Sequence, residues 1–150
     1  MGEASDNNLT GDRHIRVFRP AMKEAWKLLP KARDIYDLRS QTLKLRFWPE
    51  KSPVDEQGEL LDLNWSWIKA LAGTHVGELR IDDVIGGFNN LRVIFYDAAA
   101  HEHPRMPMIW VLSVLQKKRQ DWTDANLTTF DARRKLVVER FYKSGFYQEM

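Results

Sequence analysis

The chain has 150 residues, with 23 basic and 21 acidic side chains, 43% hydrophobic and 29% charged content, the profile of one globular domain with its own core. It contains no cysteine, which excludes a disulfide framework, thiolate metal sites and cysteine nucleophiles. Its apolar runs are only a few residues long, too short to span a membrane.

Residues 1–12 are polar and read as a mobile tail. Residues 13–150 read as a single domain. Met1–Arg13 lacks the apolar centre of a secretory signal, so a cytoplasmic protein is expected. His14–Arg19 alternates imperfectly and predicts a short strand ended by Pro20. Met22, Ala25, Trp26 and Leu29 recur at helical spacing, so a helix with these residues inward is expected, stopping near Leu29 before Pro30. Asp34–Leu38 reads as a second short helical turn.

Gln41–Trp48 alternates Leu43, Leu45 and Phe47 against Thr42, Lys44 and Arg46, a strand pattern. Residues 49–58 hold two prolines and read as a loop. Glu59–Ala72 predicts a helix stopped by Gly73. Trp65 and Trp67 cannot share one face of such a helix, so one is expected to be exposed or covered by the 41–58 segment. Gly77–Asp83, Leu91–Asp97 and Met108–Leu115 read as strands, the last a nearly continuous apolar run typical of a central strand. Asp124–Phe141 predicts a helix capped by Asp124, with Leu127, Phe130, Leu136, Val137 and Phe141 inward and Arg133, Arg134, Lys135 and Arg140 outward. The order implies an α+β fold: a small curved, mostly antiparallel sheet with helices packed on one face.

Charge is uneven. Residues 1–100 carry 14 basic and 15 acidic groups, and residues 101–150 carry 9 and 6, so any basic face is local. There is no Gly-rich phosphate loop. His101 and His103 can share one side of an extended segment, but no third or fourth metal ligand is evident, and a solvated loop is the simpler reading. No cofactor is implied. On the 77–83 strand Glu78, Arg80 and Asp82 face away from Leu79 and Ile81, and on the next strand Arg92 faces away from Val93 and Phe95. If these strands form a meander, Arg80, Arg92 and the Lys117-Lys118-Arg119 loop converge on one sheet face. Such a cluster can hold a phosphodiester and stabilise its added charge. The alternative is that Arg80 pairs with Glu78 or Asp82 and that the basic run is a solvated turn. Trp26 and Trp110 read as core. Trp48, Trp65 and Trp122 border polar segments, and Trp122 is the candidate for base stacking.

These residues carry a resemblance. Leu71-Ala72-Gly73, Gly77-Glu78-Leu79-Arg80-Ile81 and Leu91-Arg92-Val93-Ile94-Phe95-Tyr96 resemble the helix end and the two strands of the RelE/ParE toxin superfamily. Gln116-Lys117-Lys118-Arg119-Gln120 and the helix around Ala132-Arg133-Arg134 resemble its HigB-like branch. The match covers about residues 68–141, with a weaker match at His14–Arg33, and residues 38–60 read as an insertion. It implies the toxin of a toxin–antitoxin pair, a metal-free, ribosome-dependent mRNA endoribonuclease that leaves a 2′,3′-cyclic phosphate. By position, the resemblance implies Arg80, Arg92, Lys117 and Lys118 as catalytic groups, with Arg119, Gln120 and Trp122 on the RNA. The implied partners are an antitoxin, of helix-turn-helix type and encoded nearby, and mRNA on the ribosome. The chain departs from the pattern where family members place a Tyr or His as acid or base. Trp122 and Phe130 stand there, and Tyr142, Tyr147, His101 and His103 are candidates by chemistry alone. That departure keeps open a non-catalytic binding module for an antitoxin-like or ribosomal partner.

Overall fold

The computed structural model describes residues 13–50, 53–54, 57–98 and 108–143. The chain folds as α+β around a five-stranded mixed sheet. In chain order it runs through β1 (His14–Val17), α1 (Arg19–Leu28), α2 (Ala32–Thr42), a 3₁₀ segment (Leu43–Phe47), β2 (Trp65–Trp67) and a 3₁₀ turn (Lys69–Leu71). Then come β3 (Val76–Arg80), β4 (Leu91–Asp97), β5 (Met108–Gln116), α3 (Asp124–Val138) and a closing π turn (Glu139–Lys143). The sheet order is β1-β5-β4-β3-β2. β1 lies parallel to β5, and the remaining pairs are antiparallel.

The central strands are buried on both faces, and this sets the layer structure. Along β4, Leu91, Val93 and Phe95 enter one core with Ala21 and Ala25 of α1, Leu29 at its C-terminal cap and Leu38 of α2. Ile94 and Tyr96 enter a second core with Phe130, Val137 and Val138 of α3. Helices therefore cover both faces of the sheet, not the single face expected. The near-continuous apolar runs of β4 and β5 require this arrangement, because each face of such a strand needs its own cover. A register shift at Ile94/Phe95 bends the β4–β5 pair.

Three local expectations are corrected. Gln41–Trp48 is not a strand: α2 runs on to Thr42, and the chain tightens into the 3₁₀ segment. Trp48 N–H bonds to Leu45 O, which satisfies locally what a strand would need a partner to satisfy. Glu59–Ala72 is not a helix. Trp65, Ser66 and Trp67 form β2, paired with Leu79, Glu78 and Gly77. In a strand the two tryptophans share a face, which resolves their conflict on a helix. Trp65 packs on Trp48 and donates from its indole to Pro49 O, while Trp67 stays partly exposed. The Phe95 ring lies where a Cβ on Gly77 would stand, 2.6 Å away, so this pairing needs glycine.

Helix phases also differ. Pro20 lies in the first turn of α1, which proline suits, and β1 already ends at Val17. α1 buries Ala21, Ala25 and Leu29, leaving Met22 and Trp26 42% and 43% exposed, so Trp26 is not core. Small alanines let α1 lie close on β5, and this outweighs the larger side chains one position on. In α3 the N-cap is Thr123, in a reciprocal capping box with Asn126, and Asp124 is the first helical residue. Phe130 and Val137 are buried as expected, but Leu136 is exposed instead of inward, and Val138 is buried as well. Arg133 reaches inward instead of out, donating to Glu24 and to Leu112 O. Trp110 is buried as expected, and Trp48, which borders a polar segment, is buried too. No helix among the described residues is long and apolar enough to cross a membrane.

Candidate nucleic-acid interface

The face of the sheet that carries the α3 core becomes polar toward one end. Register places Ser66 beside Glu78, Glu78 beside Ile94, Arg80 beside Arg92 and Arg92 beside Leu115. These side chains share the α3 face, because strand residues two apart point the same way. Just past β5, Lys117 N–H bonds to Asn90 O, and the Asn90 amide returns a bond to Lys117 O, which fixes where that lysine leaves the sheet. The result is an open cleft of about 210 Å³ lined by Asn64, Ser66, Glu78, Arg80, Arg92 and Lys117.

Arg92 is 8% exposed. Its guanidinium is held below the usual arginine range first by burial and then by the neighbouring Arg80, against the pull of Glu78 and Asp82. Glu78 is the hub. Its Oε2 lies 3.5 Å from Arg92 Nε, and its Oε1 lies 3.5 Å from Lys117 Nζ and accepts from Trp122 Nε1 at 3.4 Å. Trp122 is half-buried. The Lys117 ammonium sits 5.0 Å from its ring centroid, and Phe130 meets it edge to face at 5.2 Å.

Arg80, Arg92 and Lys117 thus line one cleft. Lys118, Arg119 and Gln120 are exposed on the following loop and are not among its lining residues. Trp122 borders the cleft through Glu78 and Lys117 instead of presenting a free ring. Of the acid–base candidates, Tyr142 is buried and accepts from Trp110 Nε1 at 2.9 Å, in the core and not in the cleft. His101, His103 and Tyr147 lie outside the described residues. Among the described residues no group of three or more His, Asp or Glu side chains can hold a metal ion.

Sequence reasoning missed Asn64 and Ser66, because it read their segment as a helix. The alternation of Trp65-Ser66-Trp67 was the available signal. It placed Glu78 on the correct face but only as a partner for Arg80, whereas Glu78 engages Arg92, Lys117 and Trp122. Compared with protein-family models, with curated proteins and with solved structures, the chain matches none.

Proposed function

We propose that the chain is the toxin of a toxin–antitoxin pair and a metal-free, ribosome-dependent mRNA endoribonuclease of the RelE/ParE superfamily, HigB-like branch, acting in the cytoplasm. The observation that carries this reading is the convergence of Arg80, Arg92 and Lys117 on one open cleft. Fixed cations at that spacing suit the non-bridging oxygens of a phosphodiester and the charge that builds on them in the transition state. In this reading the ribose 2′-oxygen attacks the adjacent phosphorus and the bond to the next nucleotide's 5′-oxygen breaks. The 2′-proton passes to water and the leaving oxygen takes one from water, giving a 2′,3′-cyclic phosphate and a 5′-hydroxyl. Lys118, Arg119 and Gln120, exposed beside the cleft, are suited to the flanking backbone. The antitoxin is the partner that neutralises this face.

A second reading has its own observation. No His or Tyr is among the described cleft-lining residues, and Glu78 faces Arg92, Lys117 and Trp122 as a counter-ion instead of a free base. That favours a non-catalytic module that binds an antitoxin-like or ribosomal partner through the same face.

Induced expression of the wild type beside an Arg80→Ala/Arg92→Ala/Lys117→Ala variant separates the two. The nuclease reading expects growth arrest with new mRNA 5′ ends inside codons for the wild type alone. Binding of RNA or ribosomes without new ends leaves the binding module. No arrest, no cleavage and no binding defeats both.

A further inference from the structure

Arg80 and Arg92 stand directly opposite each other across the β3–β4 ladder. Like charges in that position are destabilising, since their Cβ atoms are only about 5 Å apart. Burial of Arg92 sharpens the cost. Glu78 relieves only part of it. The carboxylate reaches Arg92 and Lys117, and no ion pair to Arg80 is present among the described residues. Both of its ion-pair distances are 3.5 Å, against about 2.7–2.9 Å for tight charge-assisted bonds. The cleft therefore holds three cations, one loosely seated anion and open volume next to the exposed Arg80.

We propose that Glu78 is a resident counter-ion that a phosphate group displaces: the phosphate takes over Arg92 and Lys117, recruits Arg80, and releases the carboxylate. The inference rests on the phosphate-binding half of the functional reading and not on cleavage. It assigns the cleft a ligand class, a tetrahedral phosphate oxyanion, and a device that weakens binding of anions unable to engage all three cations. Lys117 keeps its place when Glu78 leaves, because the Trp122 ring still faces its ammonium. Trp122 reports the exchange, since its indole N–H loses the Glu78 acceptor.

The test is titration of the full chain with inorganic phosphate and, separately, with a diribonucleoside monophosphate, at constant ionic strength. Calorimetry gives the affinity, and the Trp122 indole N–H resonance, assigned with Trp122→Phe, gives the exchange. Glu78→Gln keeps the shape and removes the competing charge, so it should bind inorganic phosphate at least about tenfold more tightly. Arg80→Ala should bind it more weakly than the wild type. The wild-type indole resonance should move on saturation. If Glu78→Gln folds poorly, the wild-type resonance still decides. No phosphate binding, an unmoved resonance at saturation, or a folded Glu78→Gln protein with unchanged or weaker affinity overturns the proposal. Binding of the diribonucleotide but not of free phosphate moves the ligand from a simple oxyanion to a nucleic-acid backbone and overturns the simple-oxyanion assignment. Phosphate exchange without RNA cleavage in cells fails the nuclease reading alone, and cleavage with no gain in Glu78→Gln fails this inference alone.

Discussion

The Trp110 indole donates to the Tyr142 hydroxyl inside the α3 core, with both residues buried. Buried donors need partners, and an orphaned one carries its full desolvation cost. Tyr142→Phe keeps the ring and deletes the acceptor. It should lower unfolding free energy by about 1–3 kcal/mol, measured by urea denaturation. Under the proposed nuclease reading, growth arrest and RNA cleavage should persist at temperatures where the variant is folded, because Tyr142 lies outside the cleft. Loss of cleavage at unchanged stability would restore Tyr142 as an acid–base candidate. Tyr96 is held in the same core. Burial pushes its phenol well above the ordinary range, so Tyr96 stays protonated and contributes shape and a hydroxyl.

At the scale of elements, β1 pairs with β5 only as far as Val111, and the rest of that edge of β5 is left without a strand. Two helices from opposite faces close it. Glu24 of α1 accepts from Val114 N–H at 3.1 Å and from the Ser113 hydroxyl at 2.8 Å, while Arg133 of α3 donates to Leu112 O at 2.9 Å. Glu24 and Arg133 also meet each other at 2.8 Å. The pair satisfies backbone groups that an open edge would offer to another chain. Glu24→Ala and Arg133→Met should each cost about 1–3 kcal/mol. Their double mutant should cost less than the sum, with a coupling of about 0.5–3 kcal/mol by thermal or urea unfolding. Strict additivity would mean that the two side chains cap the edge independently. This clamp was not legible in the sequence, which put Arg133 on the outer face of its helix. The strands β3 and β4 were legible because their period-2 patterns are local, and β5 because a short, nearly continuous apolar run marks a central strand. Leu43, Leu45 and Phe47 show the same period, yet form a 3₁₀ turn, since alternation specifies a strand only where a neighbour offers a ladder. The phase of α1 was misread for a related reason: Trp26 has far more apolar area to bury than Ala21, but the close approach to β5 selects the smaller side chain.

For the whole molecule, formal charge is only +2, so under the proposed function attraction for RNA would come from where the cations sit and not from how many there are. The cleft was partly legible for that reason. Alternation put Arg80 and Arg92 on one face, and the order of the strands brought Lys117 to them, while the part played by Glu78 depended on distances that no spacing reveals. The number of phosphate contacts sets how binding responds to salt. Three cleft cations predict a slope of about −2 in log affinity against log salt for single-stranded RNA, or roughly a fifteen-fold loss between 50 and 200 mM. Replacing Arg80, Arg92 and Lys117 with alanine should remove that part of the slope and leave only the share that Lys118 and Arg119 add on the flanking backbone. Lys118→Ala/Arg119→Ala should change it less, because both side chains are exposed on a loop and stay hydrated when RNA is near. Fluorescence anisotropy of a labelled single strand across a salt series measures all three proteins. A steep slope that survives the triple substitution would place the RNA on another surface, and the cleft would then have to be read as a site for a smaller anion.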